Sequence, residues 1–485
     1  MPIRTLFSSR SLLFATLLSG CAVGPDYHRP AMNAPARYMG DAAIAERQAA
    51  QPADLARWWE GFKDPLLTRL IMEAQSKNLD VAQAIARVTQ AKAGLNAATA
   101  ALLPSATIQA SAGHVRTSQD TPGGRVGQLL GASRDYDSYE GDVVAGWEID
   151  LFGGLRRGHA AAADDYQASE AGVIAARLAV AAQVADVYVA IRGLQERLAI
   201  ARDQVATQRK LVATVQLQYQ KGVAAELQLR QSEGVLAQVQ STVPVLETSL
   251  DAAMNAMDIL MGTQPGTFRP QLEAVGPIPV APSITSAGGP VDLLRRRPDL
   301  IVAERRLAAS NARIGQAISE YFPKFSLSGL LGTASAVGTG QLFTGSAVQA
   351  QGFAGLRWRL FDFGRVDAEV KAAKGANAEA LANYRLTVLR ASADVEDSFS
   401  ALVKREEQVR LLSSGETSLA RAREASEAAY KGGVVSLIEV LDADTRLLET
   451  RDQRAQAQTE VARAAISSFR ALGGGWEVPV SFAQN

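Results

Sequence analysis

Only a few residues of this chain have the type and spacing that chemistry requires. The three histidines, His28, His114 and His159, are scattered, and none belongs to a cluster with metal-ligand spacing. The sequence also lacks a phosphate loop and an activated-serine elbow. Glu439 and Asp442 stand out instead, because residues three apart on a helix share one face. We expect this carboxylate pair to face water, either on an outer surface or inside a passage, where a ring of carboxylates would favour cations.

The single cysteine, Cys21, ends a segment that is typical of an export signal. Two arginines precede the apolar stretch 11–18, which is too short to span a bilayer. The run Leu-Ser-Gly-Cys at 18–21 resembles the lipobox of bacterial lipoproteins, in which the cysteine is lipidated and becomes the new N-terminus. That resemblance implies a covalent lipid on Cys21, and Ala22, which is not an aspartate, implies sorting to the outer membrane. An ordinary signal peptide with a chance cysteine is the alternative.

The composition favours long packed helices. Apolar residues make up 47% of the 485 residues and aromatics only 6%, which is unlike a β-sandwich. Lysine plus arginine and aspartate plus glutamate both total 50, so the formal net charge is zero. The charge balance therefore gives no reason to expect nucleic acid as a partner.

The chain is a tandem repeat, because several short motifs recur at a fixed offset. The segments separated by 211 residues are 147–153 and 358–364, 219–223 and 430–434, and 260–262 and 471–473. Upstream the offset is 219, as between Asp80 and Asp299, so the first half carries about eight extra residues before Trp147, as a longer surface loop would. The letters Asp-Phe-Gly at 362–364 spell a kinase metal motif, but their repeat partner 151–153 indicates a strand-to-helix joint.

Each half is predicted to contain a long helical hairpin. In the first half, apolar residues from Val180 to Val205 step by four and three alternately, which is the period of a coiled coil. The second half has a weaker seam, which Arg405 and Glu416 interrupt. The predicted helices cover 154–221 and 227–261, and then 364 to 433 and back to about 472. A 67-residue helix would be about 100 Å long, so these helices must pack side by side, within a bundle or across subunits.

Two segments of alternating apolar and polar residues precede each long helix. The alternation in 139–151 and, less cleanly, in 350–360 is typical of strands that line a transmembrane barrel. Partner strands are predicted from 105 to about 117 and from 324 to about 333. Trp147 and Trp358 lie at equivalent ends, where an aromatic girdle is expected. Four strands of a soluble sheet are the alternative.

A chain with four such strands must share its barrel with other chains. Four strands cannot close a barrel, and open edges are not tolerated in lipid. Two subunits would supply eight strands and three would supply twelve. Because side chains fill the interior of an eight-stranded barrel, a duct favours three subunits or more.

These features resemble the TolC-like outer-membrane efflux family, in the lipoprotein branch attached to resistance-nodulation-division pumps. Residues 21–30 look like that branch's mature N-terminus, and 297–300 (Arg-Pro-Asp-Leu) and 321–323 (Tyr-Phe-Pro) look like its mid-chain signatures. The resemblance covers the whole mature chain. It implies an α+β membrane protein: a homotrimer whose 12-stranded transmembrane β-barrel, with four strands per subunit, continues into a long periplasmic α-helical coiled-coil barrel. It also implies a lipid-anchored protein of the outer membrane that docks to a periplasmic adaptor and an inner-membrane pump, is not an enzyme, and needs no cofactor beyond the lipid on Cys21.

The resemblance also assigns functional positions. In the family, the tips of the helical hairpins meet the adaptor, and acidic residues just past the second tip line the periplasmic entrance. The matching acidic residues here are Glu439 and Asp442. Some relatives have an arginine near the second tip that helps to latch the entrance; the matching residue is Val435, so this chain departs from that pattern. The matching tip residues are Tyr219, Gly222, Val223, Tyr430, Gly433 and Val434.

The predicted organisation follows the repeat. The segments are a signal peptide (1–20), an extended lipid-anchored segment (21–65), the first repeat (66–262), a proline-rich connector (263–289), the second repeat (290–475) and a tail (476–485). The predicted function is a passive exit duct for drugs and other small molecules. The alternatives are the exit duct of a type I protein secretion system and a structural coiled-coil stalk, although a stalk would not explain the amphipathic strands.

Overall fold

The computed structural model describes residues 22–31, 37–45, 54–284 and 296–477. The predicted signal peptide and Cys21 lie outside the described residues, as do 285–295 at the end of the connector and most of the tail. The chain divides into two compact units. The first comprises the described parts of Met1–Pro30, Thr89–Ala168 and Glu304–Asn383, and the second those of Ala31–Val88, Ser169–Ala303 and Tyr384–Asn485.

The two halves of the chain contain the same series of main elements. Each half has a helix of 22 residues, two strands, a helix of 67 residues and a helix of 35 residues. In chain order the helices are α1 (Asp41–Ala45), α2 (Pro65–Lys77), α3 (Leu79–Ala100), α4 (Pro122–Leu129), α5 (Gly154–Gln220), α6 (Glu226–Leu260), α7 (Arg269–Leu272), α8 (Pro298–Ser319), α9 (Arg365–Lys431) and α10 (Leu437–Ala471). The strands are β1 (Ser105–Arg116), β2 (Asp135–Ile149), β3 (Lys324–Ser335) and β4 (Val348–Arg357). The predicted strands and helical hairpins are thereby confirmed.

The differences from the sequence expectations lie between these elements. The N-terminal segment was expected to be extended, but α1 and a 3₁₀ segment, Leu55–Phe62, interrupt it. The 3₁₀ segment folds because it buries large aromatic side chains: Trp58 stacks on Phe469 with the ring centroids 5.5 Å apart. The connector likewise contains α7. The longer first loop contains α4, whose eight residues match the excess of the first half.

The sheet of the first unit is antiparallel, in the order β1-β2-β3-β4. Ser105 pairs with Gly146, and the repeat-equivalent pair Lys324 and Arg357 has the same register. The two halves meet at β2 and β3, where Trp147 pairs with Leu327. Within one chain the outer edges of β1 and β4 therefore remain without a strand partner in this sheet.

The two faces of the sheet differ as predicted. One row across all four strands consists of Ile108, Val143, Leu331 and Ala350, and Ile108 is 83% exposed. The next row, on the opposite face, consists of Gln109, Asp142, Gly332 and Gln349, and the Gln349 amide donates to Asp142 Oδ1 at 2.8 Å. A sheet with one exposed apolar face and one polar face is typical of strands that separate lipid from water.

The second unit is a helical bundle with the predicted seam at its core. The buried seam residues of α5 are Val180, Val184, Ile191, Leu198, Ala201 and Val205. Glu416, which interrupts the seam of α9, forms ion pairs with Arg451 and Arg454 of α10 at 3.0 and 2.9 Å. These ion pairs explain why a charged residue stands in the seam. Among the described helices, α5 alone contains a window apolar enough to cross a membrane, but half of that window is buried, so packing against other helices accounts for its composition.

Candidate functional site: the ends of the helical hairpins

Both helical hairpins turn through the same backbone motif. In the first turn, the Gly222 N–H donates to the Tyr219 carbonyl at 2.9 Å and the Val223 N–H to the Gln218 carbonyl at 2.8 Å. This pair of bonds defines a Schellman motif, whose C′ residue adopts the left-handed conformation. Gly222 has φ +71°, and an added Cβ would meet nothing within 4 Å. Glycine is therefore required here by backbone conformation and not by lack of space.

The second turn repeats this geometry. Gly433 has φ +73°, its N–H donates to the Tyr430 carbonyl at 2.9 Å, and the Val434 N–H donates to the Ala429 carbonyl at 2.9 Å. A Cβ on Gly433 would also meet nothing within 4 Å. The predicted tip residues of the two halves therefore occupy equivalent positions.

Each turn presents a valine to solvent. Val223 is 77% exposed and Val434 is 80% exposed, although valine is usually buried. Tyr219 is 41% exposed, while its counterpart Tyr430 is half-buried. The fixed turns thus hold two apolar side chains in water at the ends of the hairpins.

An apolar cluster joins the two hairpins just behind their turns. Leu211, Val215 and Leu229 of the first hairpin are buried together, and Leu437 and Leu441 of the second pack against them. The helical spacing of Ile438 and Leu441, beside the acidic pair, predicts that both pack against neighbouring helices. Leu441 does so, but Ile438 is 54% exposed, because the cluster covers only one side of α10.

A groove of about 410 Å³ lies beside this cluster. Val223, Tyr430, Ile438 and Asp442 contribute to its wall, so the structure brings together tip residues from both hairpins and one of the predicted acidic residues. Glu439, Gly222, Gly433 and Val434 do not line it. Polar groups of the groove include Gln208, Gln218, Gln228 and Gln231, which the sequence analysis did not single out because no local pattern marks them.

The two predicted acidic residues differ in their surroundings. Both are exposed at the start of α10. Asp442 forms an ion pair with Arg446, one turn further on, with Oδ2 2.9 Å from Nε. Within the described residues Glu439 has no cationic side chain in ion-pair range, so its charge is the less compensated of the two. Sequence reasoning missed Arg446, although an acidic and a basic residue four apart on a helix are a recognisable signal.

Further ion pairs bind the second hairpin near its tip. Glu427 pairs with Arg423 at 3.1 Å and with Lys431 at 3.0 Å. The hydrogen bond from Lys431, followed by the charges of Lys431 and Arg423, lowers the pKa of the Glu427 carboxyl. Arg423 also lies 3.6 Å from Asp444 of α10. The contact between Arg423 and Asp444 joins α9 to α10 a few turns from Gly433, while the pairs of Glu427 lie within α9.

The segment that follows Cys21 is fixed to the strand-to-helix joint of the first half. The Val23 N–H donates to the Phe152 carbonyl at 3.0 Å. The Arg157 guanidinium donates to the Val23 carbonyl at 3.1 Å and to Asp26 at 2.9 Å. Cys21 precedes Val23 by two residues, so at most about 7 Å of chain separates Cys21 from Val23.

The fold and these surfaces together define a class of protein. A four-stranded sheet with a lipid-type face and open edges must be completed by other subunits. A 67-residue helix follows the strands of each half, and the hairpins that these helices begin end in exposed apolar turns. The class is a subunit of an oligomeric outer-membrane duct.

Comparisons with known proteins agree with this class. The sequence matches the family described as outer membrane efflux protein over residues 70–263 and 289–474. Outer membrane protein OprJ of Pseudomonas aeruginosa is 29% identical over 484 residues, which cover 97% of this chain and 96% of the relative. Pyoverdine export outer membrane protein OpmQ of Pseudomonas putida is 32% identical over 432 residues, which cover 88% of this chain and 90% of the relative. The solved outer-membrane channel OprN is 31% identical, with a TM-score of 0.84 over 94% of this chain and 100% of that chain.

The chain belongs to the outer membrane efflux protein family. Proteins of this family are passive channels and not enzymes, they need no cofactor, and they work as homotrimers with a periplasmic adaptor and an inner-membrane pump. The predicted fold class, location and efflux function are thereby confirmed. The match to efflux proteins favours small-molecule efflux over the type I secretion alternative.

Proposed function

We propose that the two hairpin ends of each subunit form the docking surface for the periplasmic adaptor, and that exported solutes enter the duct past Glu439. One observation chiefly supports the docking surface: Val223 and Val434 follow left-handed glycines at equivalent positions and are 77% and 80% exposed. Exposed apolar groups held in fixed positions are typical of a surface that a partner covers. In a trimer with cyclic symmetry the surface is repeated around the axis.

The apolar cluster behind the turns makes the docking surface rigid. Because Leu441 of one hairpin packs against Leu211 and Val215 of the other, the two turns cannot move independently. A partner that binds both turns therefore pays little conformational entropy for ordering them.

The entrance proposal rests on charge. Three copies of Glu439 would place three weakly compensated carboxylates at the opening, whereas each Asp442 brings its own Arg446 at 2.9 Å. Carboxylate rings favour cations and hold back anions. We therefore assign most of the selectivity to Glu439 and a smaller part to Asp442, in place of an equal contribution from both.

The anchor proposal rests on the position of Val23. Its bond to the Phe152 carbonyl fixes the chain beside the end of β2, where a membrane-spanning strand would leave the bilayer. A lipid on Cys21, two residues earlier, would therefore reach the adjacent leaflet without a flexible tether. Two or more acyl chains on one residue anchor a protein stably.

Charge placed on the exposed valines tests the docking surface. Val434→Asp is expected to reduce export of a pump substrate and to weaken binding of the purified adaptor, because a carboxylate would be desolvated at the interface. Leu129→Asp is the matched control, since Leu129 is 87% exposed but lies on the β1–β2 loop, far along the chain from the hairpin ends. Normal adaptor binding by Val434→Asp, with normal amounts of trimer, would contradict the docking role.

Single-channel recording tests the entrance. In planar bilayers, Glu439→Gln is expected to lower the cation-to-anion permeability ratio more than Asp442→Asn does. If neither variant changes selectivity or block by polyvalent cations, these residues do not line the entrance.

A further inference from the structure

The junction between the two halves of one chain is a template for the junction between two chains. The strands of both halves have equivalent registers: adding 219 to Ser105 and 211 to Gly146 yields the observed pair Lys324 and Arg357. The extra residues of the first half lie in the loop between β1 and β2 and do not disturb this correspondence. A closed barrel therefore alternates two kinds of equivalent junction, β2 with β3 inside a chain and β4 with β1 between chains.

The strand-to-helix joints are equivalent as well. The Trp147 indole N–H donates to the Leu102 carbonyl at 3.0 Å, and the Trp358 indole N–H donates to the Tyr321 carbonyl at 3.0 Å. Both the donors and the acceptors are related by the repeat. The tryptophan contacts therefore anchor both joints in the same way, while the backbone differs at the phenylalanines, because Phe363 has a positive φ and Phe152 does not.

One such contact is present at the junction inside the chain, while the equivalent residues at the outer edges of the sheet do not meet. Phe152, just after β2 of the first half, stacks on Phe322 of the second half with ring centroids 4.6 Å apart. Its repeat equivalent, Phe363, is 102% exposed and adopts φ +54°, which is unfavourable for a bulky residue. The repeat equivalent of Phe322 is Leu103, which is 61% exposed.

We infer that Phe363 packs on Leu103 of the next copy of this chain, and that β4 pairs with β1 of that copy in the register transferred from β2 and β3. The observed pair Val143 and Leu331 then maps onto Ala354 and Ala112 of the neighbouring copy. The pair Trp147 and Leu327 maps onto Trp358 and Ile108. The inference rests on the trimeric channel and specifies which residues close it.

The pattern of side chains supports this register independently. Ala354 and Ala112 both lie on the apolar face, and so do Trp358 and Ile108. A shift by one residue would pair apolar with polar faces along the whole junction. On the opposite face, the transferred register places the exposed Phe353 against Gly113, where an added Cβ meets nothing within 4 Å in the single chain.

Disulfide trapping tests the register without an adaptor or a pump, so its outcome is independent of the docking proposal. Directly opposed residues have Cα atoms about 4.5–5.5 Å apart, which suits a disulfide. Ala354→Cys would be combined in turn with Ala110→Cys, Ala112→Cys and His114→Cys, all on the same face. After mild oxidation, the pair with Ala112→Cys is expected to give the most two-chain and three-chain product on non-reducing gels. Stronger crosslinking at either neighbouring position, or only single-chain product from an assembled trimer, would overturn the register.

A double-mutant cycle tests the Phe363 contact. Phe363→Ala is expected to lower the temperature at which the trimer dissociates, and Leu103→Phe is expected to raise it, because it recreates between chains the aromatic stack seen inside the chain. Leu103→Phe should give no gain in the Phe363→Ala background. Equal gains in both backgrounds would show that the two side chains do not meet, and the contact would be rejected.

Discussion

The turn at Gly433 allows the docking surface to be tested by a change in backbone conformation alone. Gly433 has φ +73°, and its missing Cβ faces open space. A side chain here causes no clash with neighbours, so its whole cost is conformational. The left-handed conformation costs an L-residue about 1–2 kcal/mol, and we expect about 1 kcal/mol for Gly433→Ala and about 2 kcal/mol for the β-branched Gly433→Val.

The turn can relieve this strain by opening. Opening would break the bonds from Gly433 to Tyr430 and from Val434 to Ala429, each worth about 1 kcal/mol, so keeping and breaking the turn cost similar amounts. In the molecules whose turn opens, the position of Val434 is no longer fixed. If about 2 kcal/mol is lost from docking at each tip, the affinity per tip falls roughly 30-fold.

Gly432 provides a matched control for Gly433, because it is the preceding residue of the same turn. Its φ lies outside the left-handed range, and an added Cβ would meet its nearest neighbours at 3.5–3.9 Å, an ordinary contact distance. Gly432→Ala is therefore expected to behave like the parent. The assays are the amount of trimer in the outer membrane, adaptor affinity by biolayer interferometry and dye efflux from cells. The reasoning fails if Gly433→Val exports and binds like the parent, or if Gly432→Ala is equally impaired.

Four further outcomes are expected elsewhere in the molecule. Mass spectrometry of the mature protein should find acyl chains on Cys21, and an unmodified Cys21 would refute the anchor. Arg446→Ala should free the Asp442 carboxylate and raise cation selectivity in planar bilayers; unchanged selectivity would mean that Asp442 lies away from the pore. Arg297→Met should reduce stability by about 2 kcal/mol, because Arg297 is 11% exposed and lies 2.7 and 3.0 Å from two carboxylates; those carboxylates can rehydrate, so a loss above about 4 kcal/mol would be unexpected. Burial, and then the hydrogen bond to a carboxylate, raise the pKa of Tyr188 to about 12. The contribution of Tyr188 to the free energy of unfolding is therefore complete below pH 10 and is lost as the pH rises towards 12. In urea unfolding, the Tyr188→Phe variant should not show this loss of stability between pH 10 and 12.

The sequence by itself determined the elements of the fold and their repetition. Alternation with period two predicted β2, the 3.5-residue seam predicted α5, and the matched glycines predicted both hairpin turns. These features depend on neighbours along the chain. Gly222 can be predicted to adopt the left-handed conformation because it lacks a Cβ. The face of a strand can be predicted from its alternate residues. Neither prediction requires knowledge of distant contacts.

The tertiary structure decided how the candidate residues are combined. Helical spacing assigns Glu439 and Asp442 the same role, whereas the structure pairs Asp442 with Arg446 and leaves Glu439 less compensated. It also exposes Ile438, whereas Leu441 is partly buried against the first hairpin. Periodicity places residues on faces of α10 but does not say which face meets the first hairpin, because that depends on packing between segments more than 200 residues apart.

The same distinction applies to the open edge of the chain. Repeat offsets in the sequence identify Phe152 and Phe363 as equivalent residues of two joints. Only the folded chain gives one of them a partner 4.6 Å away and leaves the other fully exposed. The physical reason is that a tandem repeat has one internal junction and two free ends, so equivalent sequences acquire different surroundings until other copies of the chain supply the missing neighbours.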